Sequence, residues 1–178
     1  MKYSNTAMLL LSALFAALTA ICSFVSIPLP FTPVPVNLAT LPVFLSGGLL
    51  GYKYGAVSQI VYLVLGAAGA PVFHNFTGGL GILAGPTGGY IAGYITAAFL
   101  TGLIIHLSAK KDSGAALILA MTAGLFSCYF LGTIWFMTIT GTGLFPALAA
   151  CVLPFLPGDG LKIIAGCMLM KKLRPILA

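Results

Sequence analysis

Long apolar stretches, separated by short breaks rich in proline, glycine or lysine, dominate the chain. A helix that crosses the hydrocarbon core of a bilayer needs roughly 20 mainly apolar residues. The pattern therefore predicts an all-α integral membrane protein, with residues 1–178 forming a single membrane-embedded domain. Six stretches are candidate transmembrane helices: Ala7–Ile27, Val36–Leu50, Tyr54–Ala70, Pro86–His106, Gly114–Ile139 and Pro146–Met170.

The second and third of these stretches are short, and Lys53 is the only charge that separates them. Two arrangements are compatible with this pattern. The stretches form a tight helical hairpin, or they lie partly within the protein.

The basic residues indicate how the helices are oriented. With six crossings and a cytoplasmic N-terminus, seven of the eight basic residues fall in cytoplasmic segments and none falls in an outer segment. This is the distribution that the positive-inside rule describes. It predicts that both termini are cytoplasmic. The seven residues are Lys2, Lys53, Lys110, Lys111, Lys171, Lys172 and Arg174.

Composition supports the membrane assignment and narrows the function. The chain is 60% hydrophobic and 6% charged, unlike a soluble domain of this size. Its net charge of +6 does not indicate a nucleic-acid partner, because the basic residues punctuate apolar stretches. The four cysteines lie in apolar segments without C-x-x-C spacing, so neither a disulfide framework nor a metal site is predicted. No Walker motif or catalytic triad is present, so neither an enzyme nor a cofactor is expected.

Asp159 and Lys162 lie inside the last apolar stretch, and Asp159 is one of only two acidic residues. At a spacing of three, the two side chains share one face of a helix. Ionisable residues at membrane depth are costly and mark ligand or ion pathways. We therefore predict a ligand site that is open to the external side; the alternative is an internal ion pair that fixes the bundle. The prolines and glycines of Pro154–Gly160 predict a kinked or unwound helix here.

The connection Phe73–Tyr90 consists mostly of glycine and apolar residues, unlike a solvated polar loop. Such a segment can fold back over an external cavity as a lid, with Asn75 and Tyr90 as candidate ligand contacts. The alternative is a flexible connector followed by a glycine face for close helix packing. His74 is interpreted as a surface or loop histidine, the commoner role for a single histidine, with a ligand contact as the alternative.

The segment Pro28–Asn37 contains four prolines, a density that favours an extended and rigid backbone. It follows the first apolar stretch and so lies on the predicted external side. It is either a cap on the cavity, with Asn37 pointing inward, or a stiff linker.

The first apolar stretch contains alanines at helical spacing: Ala13 is four residues from Ala17, and Ala16 is four from Ala20. Small residues at this spacing allow helices to approach closely. The face they form serves either to dock a separate membrane partner or to pack within the bundle.

Five pieces of the sequence, in this order and at these spacings, resemble the BioY family, the biotin-binding S-components of energy-coupling factor (ECF) transporters. They are Pro30–Pro35, Gly47–Ala56, Leu65–Phe73, Gly85–Tyr90 and Pro157–Lys162. The resemblance covers essentially the whole chain. It implies the S-component fold with six transmembrane helices, in a multi-pass protein of the bacterial plasma membrane that captures biotin from outside.

The resemblance also implies roles for particular residues. Asp159 and Lys162 correspond to the family's biotin-contacting Asp and Lys, and Asn75 and Tyr90 fall in the same site region. Where the family usually has Thr-Leu-Gln, this chain has Asn37-Leu38-Ala39, so Asn37 is a candidate substitute for that Gln.

For partners, the resemblance implies that Ala13 and Ala17 dock onto the transmembrane coupling subunit, while two ABC-type ATPase subunits supply the energy. The alternative function is a stand-alone secondary transporter or channel that uses Asp159 and Lys162 as an ion or proton relay.

Overall fold

The computed structural model describes residues 4–30, 32–109 and 113–177. The described part is mostly helical, with one two-stranded sheet and a short 3-10 turn at His74–Phe76. In chain order the elements are α1 (Asn5–Phe24), β1 (Ser26–Leu29), β2 (Thr32–Asn37), α2 (Thr40–Ala67), α3 (Leu80–Ala84), α4 (Gly88–Leu107), α5 (Gly114–Thr140), α6 (Leu144–Cys151) and α7 (Leu156–Leu177).

Helix α2 contains most of the second and third apolar stretches and reverses direction at Gly51. The predicted start of the second stretch at Val36 is wrong, because Val36 and Asn37 belong to β2. The backbone at Gly51 leaves the helical region, with φ 82° and ψ 170°. A Cβ added to Gly55 would lie 2.6 Å from the Cα of Gly47, although residues eight apart in a straight helix are about 12 Å apart. The Gln59 carboxamide likewise reaches Ser46 Oγ at 3.3 Å. The two stretches therefore form the tight helical hairpin, one of the two arrangements left open by the sequence.

The last apolar stretch is broken rather than continuous. Helices α6 and α7 are bent by 52° across residues 152–155, at Pro154. Of the two predicted alternatives, a kinked or an unwound helix, the structure shows the kink, and the backbone around Asp159 is helical. The Asp159 N–H donates to Phe155 O at 2.9 Å, and Pro157 lies in the first turn of α7, where its missing N–H costs no helical bond.

Three helices of the described chain are long and apolar enough to cross a membrane, namely α1, α4 and α5. A fourth crossing is added if α6 and α7 form one bent span. Six crossings with cytoplasmic termini stay a prediction.

The proline-rich segment forms an antiparallel hairpin, which adds strands that the all-α prediction did not include. Ser26 pairs with Asn37, and Leu29 pairs with Thr32. Both strands are edge strands, so prolines are accommodated at positions that need no ladder N–H. The extended backbone was predicted; its pairing was not, because strand pairing depends on contacts between residues that periodicity does not reveal. Phe31 lies outside the described residues.

The two ends of the helix bundle differ in charge. Tyr54, near the reversal at Gly51, donates to Asn5 Oδ1 at 3.2 Å, and a Cβ on Gly114 would lie 3.0 Å from Lys171 Nζ. Gly48 packs against Met170, which brings the reversal of α2 to the C-terminal part of α7. Exposed lysines at this end are Lys53, Lys171 and Lys172. Lys2, Lys110 and Lys111, which the sequence also assigns to it, lie outside the described residues.

Helix α4 is packed closely between α2 and α5. A Cβ on Gly47 of α2 would lie 2.2 Å from Ala98 O, and one on Gly93 of α4 would lie 3.0 Å from the Cα of Cys128 on α5. Gly89 packs against Trp135 in the same way. The glycines at the start of α4 therefore serve close helix packing, and Tyr90, in the middle of this face, is held in a fixed position.

Candidate ligand-binding site

A cavity of about 550 Å³, including its open mouth, lies between the β-hairpin, the start of α2, and helices α4, α5 and α7. Four residues that the sequence singled out line it: Asn37, Tyr90, Asp159 and Lys162. They come from three different elements, β2, α4 and α7, and the fold brings them together at the end of the bundle opposite the exposed lysines.

Asp159 and Lys162 form an ion pair on the cavity wall. Lys162 Nζ lies 2.7 Å from Asp159 Oδ1. Asp159 is only 3% exposed and Lys162 only 8%. Asp159 lies in the first turn of α7, where the positive end of the helix dipole favours a carboxylate. The pair is therefore held in one geometry by the helix that carries both residues.

Thr40 and Tyr129 complete this arrangement, which we call the site cluster (Thr40, Tyr129, Asp159 and Lys162). Thr40 Oγ1 donates to Asp159 Oδ1 at 3.3 Å and accepts from Lys162 Nζ at 3.1 Å. The Tyr129 hydroxyl donates to the other carboxylate oxygen, Asp159 Oδ2. An ammonium has three donors, and the described contacts use two of them. The third N–H donor of Lys162 is available to a ligand.

The hydroxyl of Tyr90 is a second polar group on the cavity wall. It lies 3.2 Å from Thr133 Oγ1 and 3.4 Å from the carbonyl oxygen of Cys151. The Cys128 thiol in turn contacts the Tyr90 carbonyl oxygen at 3.5 Å. These contacts orient the ring of Tyr90 between α5 and α6.

Asn37 lies at the end of β2, and its side chain stabilises the turn that leads into α2. Its Oδ1 accepts a hydrogen bond from the Ala39 N–H at 3.1 Å, the local bond by which Asn stabilises a turn. This bond fixes the side chain on the cavity wall, three residues before Thr40, the first residue of α2.

Asn75 is the one predicted site residue that does not line the described cavity. Its side chain is exposed, and its Oδ1 accepts from Ser26 Oγ at 3.3 Å, which ties the connection after α2 to the β-hairpin. The neighbouring residue His74 lines the cavity instead. A contact between Asn75 and a ligand stays a prediction.

Sequence reasoning missed Thr40 and Tyr129. Thr40 and Tyr129 carried no charge signal, since hydroxyl groups are common in apolar helices. A usable signal for Tyr129 was its polar tip inside the long apolar stretch of α5, because a buried tyrosine hydroxyl usually has a partner. His74 was noticed and interpreted as a surface residue.

The remaining cavity walls are apolar, with Val34, Ile91, Leu125 and Phe155 among them. The site is therefore an apolar pocket with a few convergent polar groups. It suits a ligand with a compact apolar body and a polar end that both donates and accepts hydrogen bonds.

The two alanine pairs of α1 differ in burial. Ala16 and Ala20 are buried against the bundle, whereas Ala13 and Ala17 are exposed. Packing within the bundle thus uses the first pair and leaves the second pair on an outer surface.

Comparisons with known proteins agree over the whole chain. The model of the BioY family matches residues 1–178. A biotin transporter BioY of Thermotoga maritima is 38% identical over 168 residues, covering 94% of this chain and 96% of that protein. A biotin transporter BioY of Rhodobacter capsulatus is 40% identical over 164 residues, covering 86% of each.

A solved structure has the same fold. The crystal structure of an S-component for biotin from an ECF-type ABC transporter is similar with a TM-score of 0.89 and 30% identity, covering 97% of this chain and 95% of that one. With a family model that spans every residue and relatives of this similarity, the chain belongs to the BioY family.

Proposed function

We propose that this chain captures biotin as the substrate-binding subunit of an ECF-type importer. The observation that carries the proposal is the site cluster, a buried carboxylate and ammonium at 2.7 Å on the wall of an otherwise apolar cavity. Family membership supports the identity of the ligand. No enzymatic step is part of this function.

The chemistry of the site cluster fits the ureido group of biotin, which has two N–H donors and one carbonyl acceptor. Asp159 accepts from a ureido N–H, and Lys162 donates to the carbonyl oxygen. A ligand carboxylate would be less favourable here, because it would lie beside the negative charge of Asp159. The apolar bicycle then packs on the remaining walls, with Tyr90 and Asn37 as flanking polar contacts. Asn75 is the outermost candidate contact.

Equilibrium binding of radiolabelled biotin to the purified chain, without partners, tests the site. We expect the wild-type chain to bind tightly, and Asp159→Asn and Lys162→Met to lose binding. Lys53→Met is the matched control, since Lys53 is exposed at the other end of the bundle. Retained affinity in a folded Asp159→Ala/Lys162→Ala variant would refute the assignment, and failure of the wild type to bind would refute the function.

For the membrane arrangement, we propose six crossings with both termini in the cytoplasm. The described basic residues outside the cavity support it, because Lys53 and Lys171 lie at the end of the bundle away from the cavity. The cavity then opens to the outside. Labelling of single cysteines introduced at Lys53 and at Gly141, with a membrane-impermeant maleimide on intact cells, should modify only the second. The Gly141 variant is scored only if it reaches the membrane, since that glycine has a φ of 69°.

We further propose that Ala13 and Ala17 dock onto the transmembrane coupling subunit, which works with the ATPase subunits. Their exposure on α1 supports this, because the bundle itself does not use that face. Ala17→Leu should abolish uptake in cells while leaving biotin affinity of the purified chain unchanged. Ala92→Leu, an equally exposed alanine on α4, is the control that should retain both.

A further inference from the structure

His74 lines the cavity but contacts none of the residues of the site cluster. It belongs to the connection between α2 and α3, so it approaches the cavity from a different wall than the site cluster on α2, α5 and α7. Its ring is half-buried, yet neither ring nitrogen bonds any group of the described residues. Only its backbone carbonyl is engaged, by the Thr77 hydroxyl at 2.7 Å.

The ionisation state of His74 follows from its surroundings. Burial lowers the pKa of the imidazole below its ordinary value of 6.5. At pH 7 the ring is therefore neutral and presents one N–H donor and one acceptor. A half-buried donor without a partner is a group that a ligand can satisfy.

The backbone next to His74 is held in an unusual conformation. Asn75 and Phe76 have φ values of 53° and 56°, a left-handed region that non-glycine residues rarely adopt in succession. Strained backbone persists where the surroundings fix it, and it is frequent at binding sites.

Contacts on both sides of the turn fix this conformation. The Phe76 ring stacks on Phe24 of α1 with centroids 4.2 Å apart, and Asn75 accepts from Ser26. On the other side, Phe73 is fully buried against Gly66. Both neighbours of His74 are thus anchored away from the cavity, and His74 is the residue of this turn that lines it.

We propose that His74 is a ligand-binding residue at the mouth of the cavity, where its imidazole N–H donates a hydrogen bond to the carboxylate of the bound ligand. This inference rests on the proposed capture of biotin and deepens it. The site cluster takes the uncharged ureido end, so the carboxylate lies at the far end of the ligand, away from Asp159. A neutral donor there binds the carboxylate without adding another charge to the ion pair of Asp159 and Lys162 already in the cavity.

Nuclear magnetic resonance of histidine gives a direct test, because the chain has only two histidines. In protein labelled with nitrogen-15 at histidine, saturating biotin should shift the ring signals of His74 and leave those of His106 unchanged. His106 is exposed near the end of α4 and serves as the internal control. Unshifted His74 signals in a sample that demonstrably binds biotin would overturn the inference.

Affinity measurements with two ligands test the carboxylate contact. We expect His74→Leu to bind biotin about tenfold more weakly, the typical effect of removing one hydrogen bond. An analogue whose carboxylate is replaced by a methyl group should bind His74→Leu and wild type equally well. His106→Leu should match wild type with both ligands.

The outcomes separate the two proposals. An equal loss for biotin and for the methyl analogue would overturn the carboxylate contact, and unchanged biotin affinity in His74→Leu would overturn any contact. If wild type itself does not bind biotin, the proposed function fails first and the role of His74 with it. If His74→Leu does not fold, the wild-type resonance experiment decides the inference by itself.

Discussion

Two buried polar clusters lie inside this apolar bundle, and they are built differently. The site cluster contains an ion pair and lines the cavity. The second, which we call the interhelix cluster (Thr19, Ser46, Ser58 and Gln59), is neutral and joins α1 to both halves of α2. The Gln59 amide nitrogen lies 2.9 Å from Ser58 Oγ and 3.3 Å from the hydroxyls of Ser46 and Thr19.

The two clusters differ in the acceptors to which their hydroxyl groups donate. In the interhelix cluster each hydroxyl donates to a carbonyl of its own helix, at 2.8 Å in all three cases. These hydroxyls can therefore only accept, and they turn the Gln59 amide nitrogen toward themselves. Gln59 Oε1 is left as the one buried side-chain polar atom without a partner among the described residues. The donors of the interhelix cluster are committed to the helices, whereas Lys162 keeps donor capacity for a ligand.

The largest expected effect comes from removing one charge of the site cluster. Lys162→Met leaves the Asp159 carboxylate buried without a cation, which typically costs about 3–5 kcal/mol. We expect the free energy of unfolding, measured by denaturant titration in detergent, to fall by about that amount, together with the loss of biotin binding.

A double variant separates stability from function. Asp159→Asn/Lys162→Met removes both charges, so we expect much of the lost stability to return while biotin binding stays absent. Lys53→Met is the control and should leave the free energy of unfolding unchanged. Recovery of biotin binding in the double variant would show that the pair is a structural device, as in the alternative interpretation of the sequence.

The sequence predicted the charged half of the site because charge within an apolar stretch is rare and costly. Asp159 and Lys162 were identifiable for that reason alone. Thr40 and Tyr129 were not, since their positions relative to Asp159 depend on how three helices pack. The same limit applies to the fold: helix existence followed from apolar length, but the reversal at Gly51 required knowing that Gly47 and Gly55 touch.

The connection between α2 and α3 shows why neighbouring residues can exchange predicted roles. Asn75 has the side chain that suggested a ligand contact, and His74 is the residue that lines the cavity. Which of two adjacent residues faces inward is set by the left-handed backbone at Asn75 and Phe76. Such conformations arise from tertiary contacts, here with Phe24 and Ser26, which no local pattern encodes.

An intermediate effect is expected from Tyr129→Phe, which removes one donor to Asp159. Hydrogen bonds to charged groups contribute about 1.5–3 kcal/mol, so the free energy of unfolding should fall within that range. Tyr90→Phe is the matched control, because its hydroxyl bonds only neutral groups and should cost about 1 kcal/mol. If the free energy of unfolding fell equally in the two variants, by thermal and by chemical unfolding, the hydrogen bond to the Asp159 carboxylate would be no stronger than one to a neutral group.

The smallest effect is expected in the interhelix cluster, from Gln59→Leu. The change removes the amide donor, which costs about 1 kcal/mol, but it also removes the unpartnered Oε1, whose burial is unfavourable. These contributions oppose each other, so the free energy of unfolding should change by no more than about 1 kcal/mol. Biotin affinity should change less than about twofold, because each hydroxyl keeps its bond to a helix carbonyl and α1 and α2 keep their packing. A folded Gln59→Leu protein that fails to bind biotin would show that the interhelix cluster also serves the ligand, and the distinction between the two clusters would then be wrong.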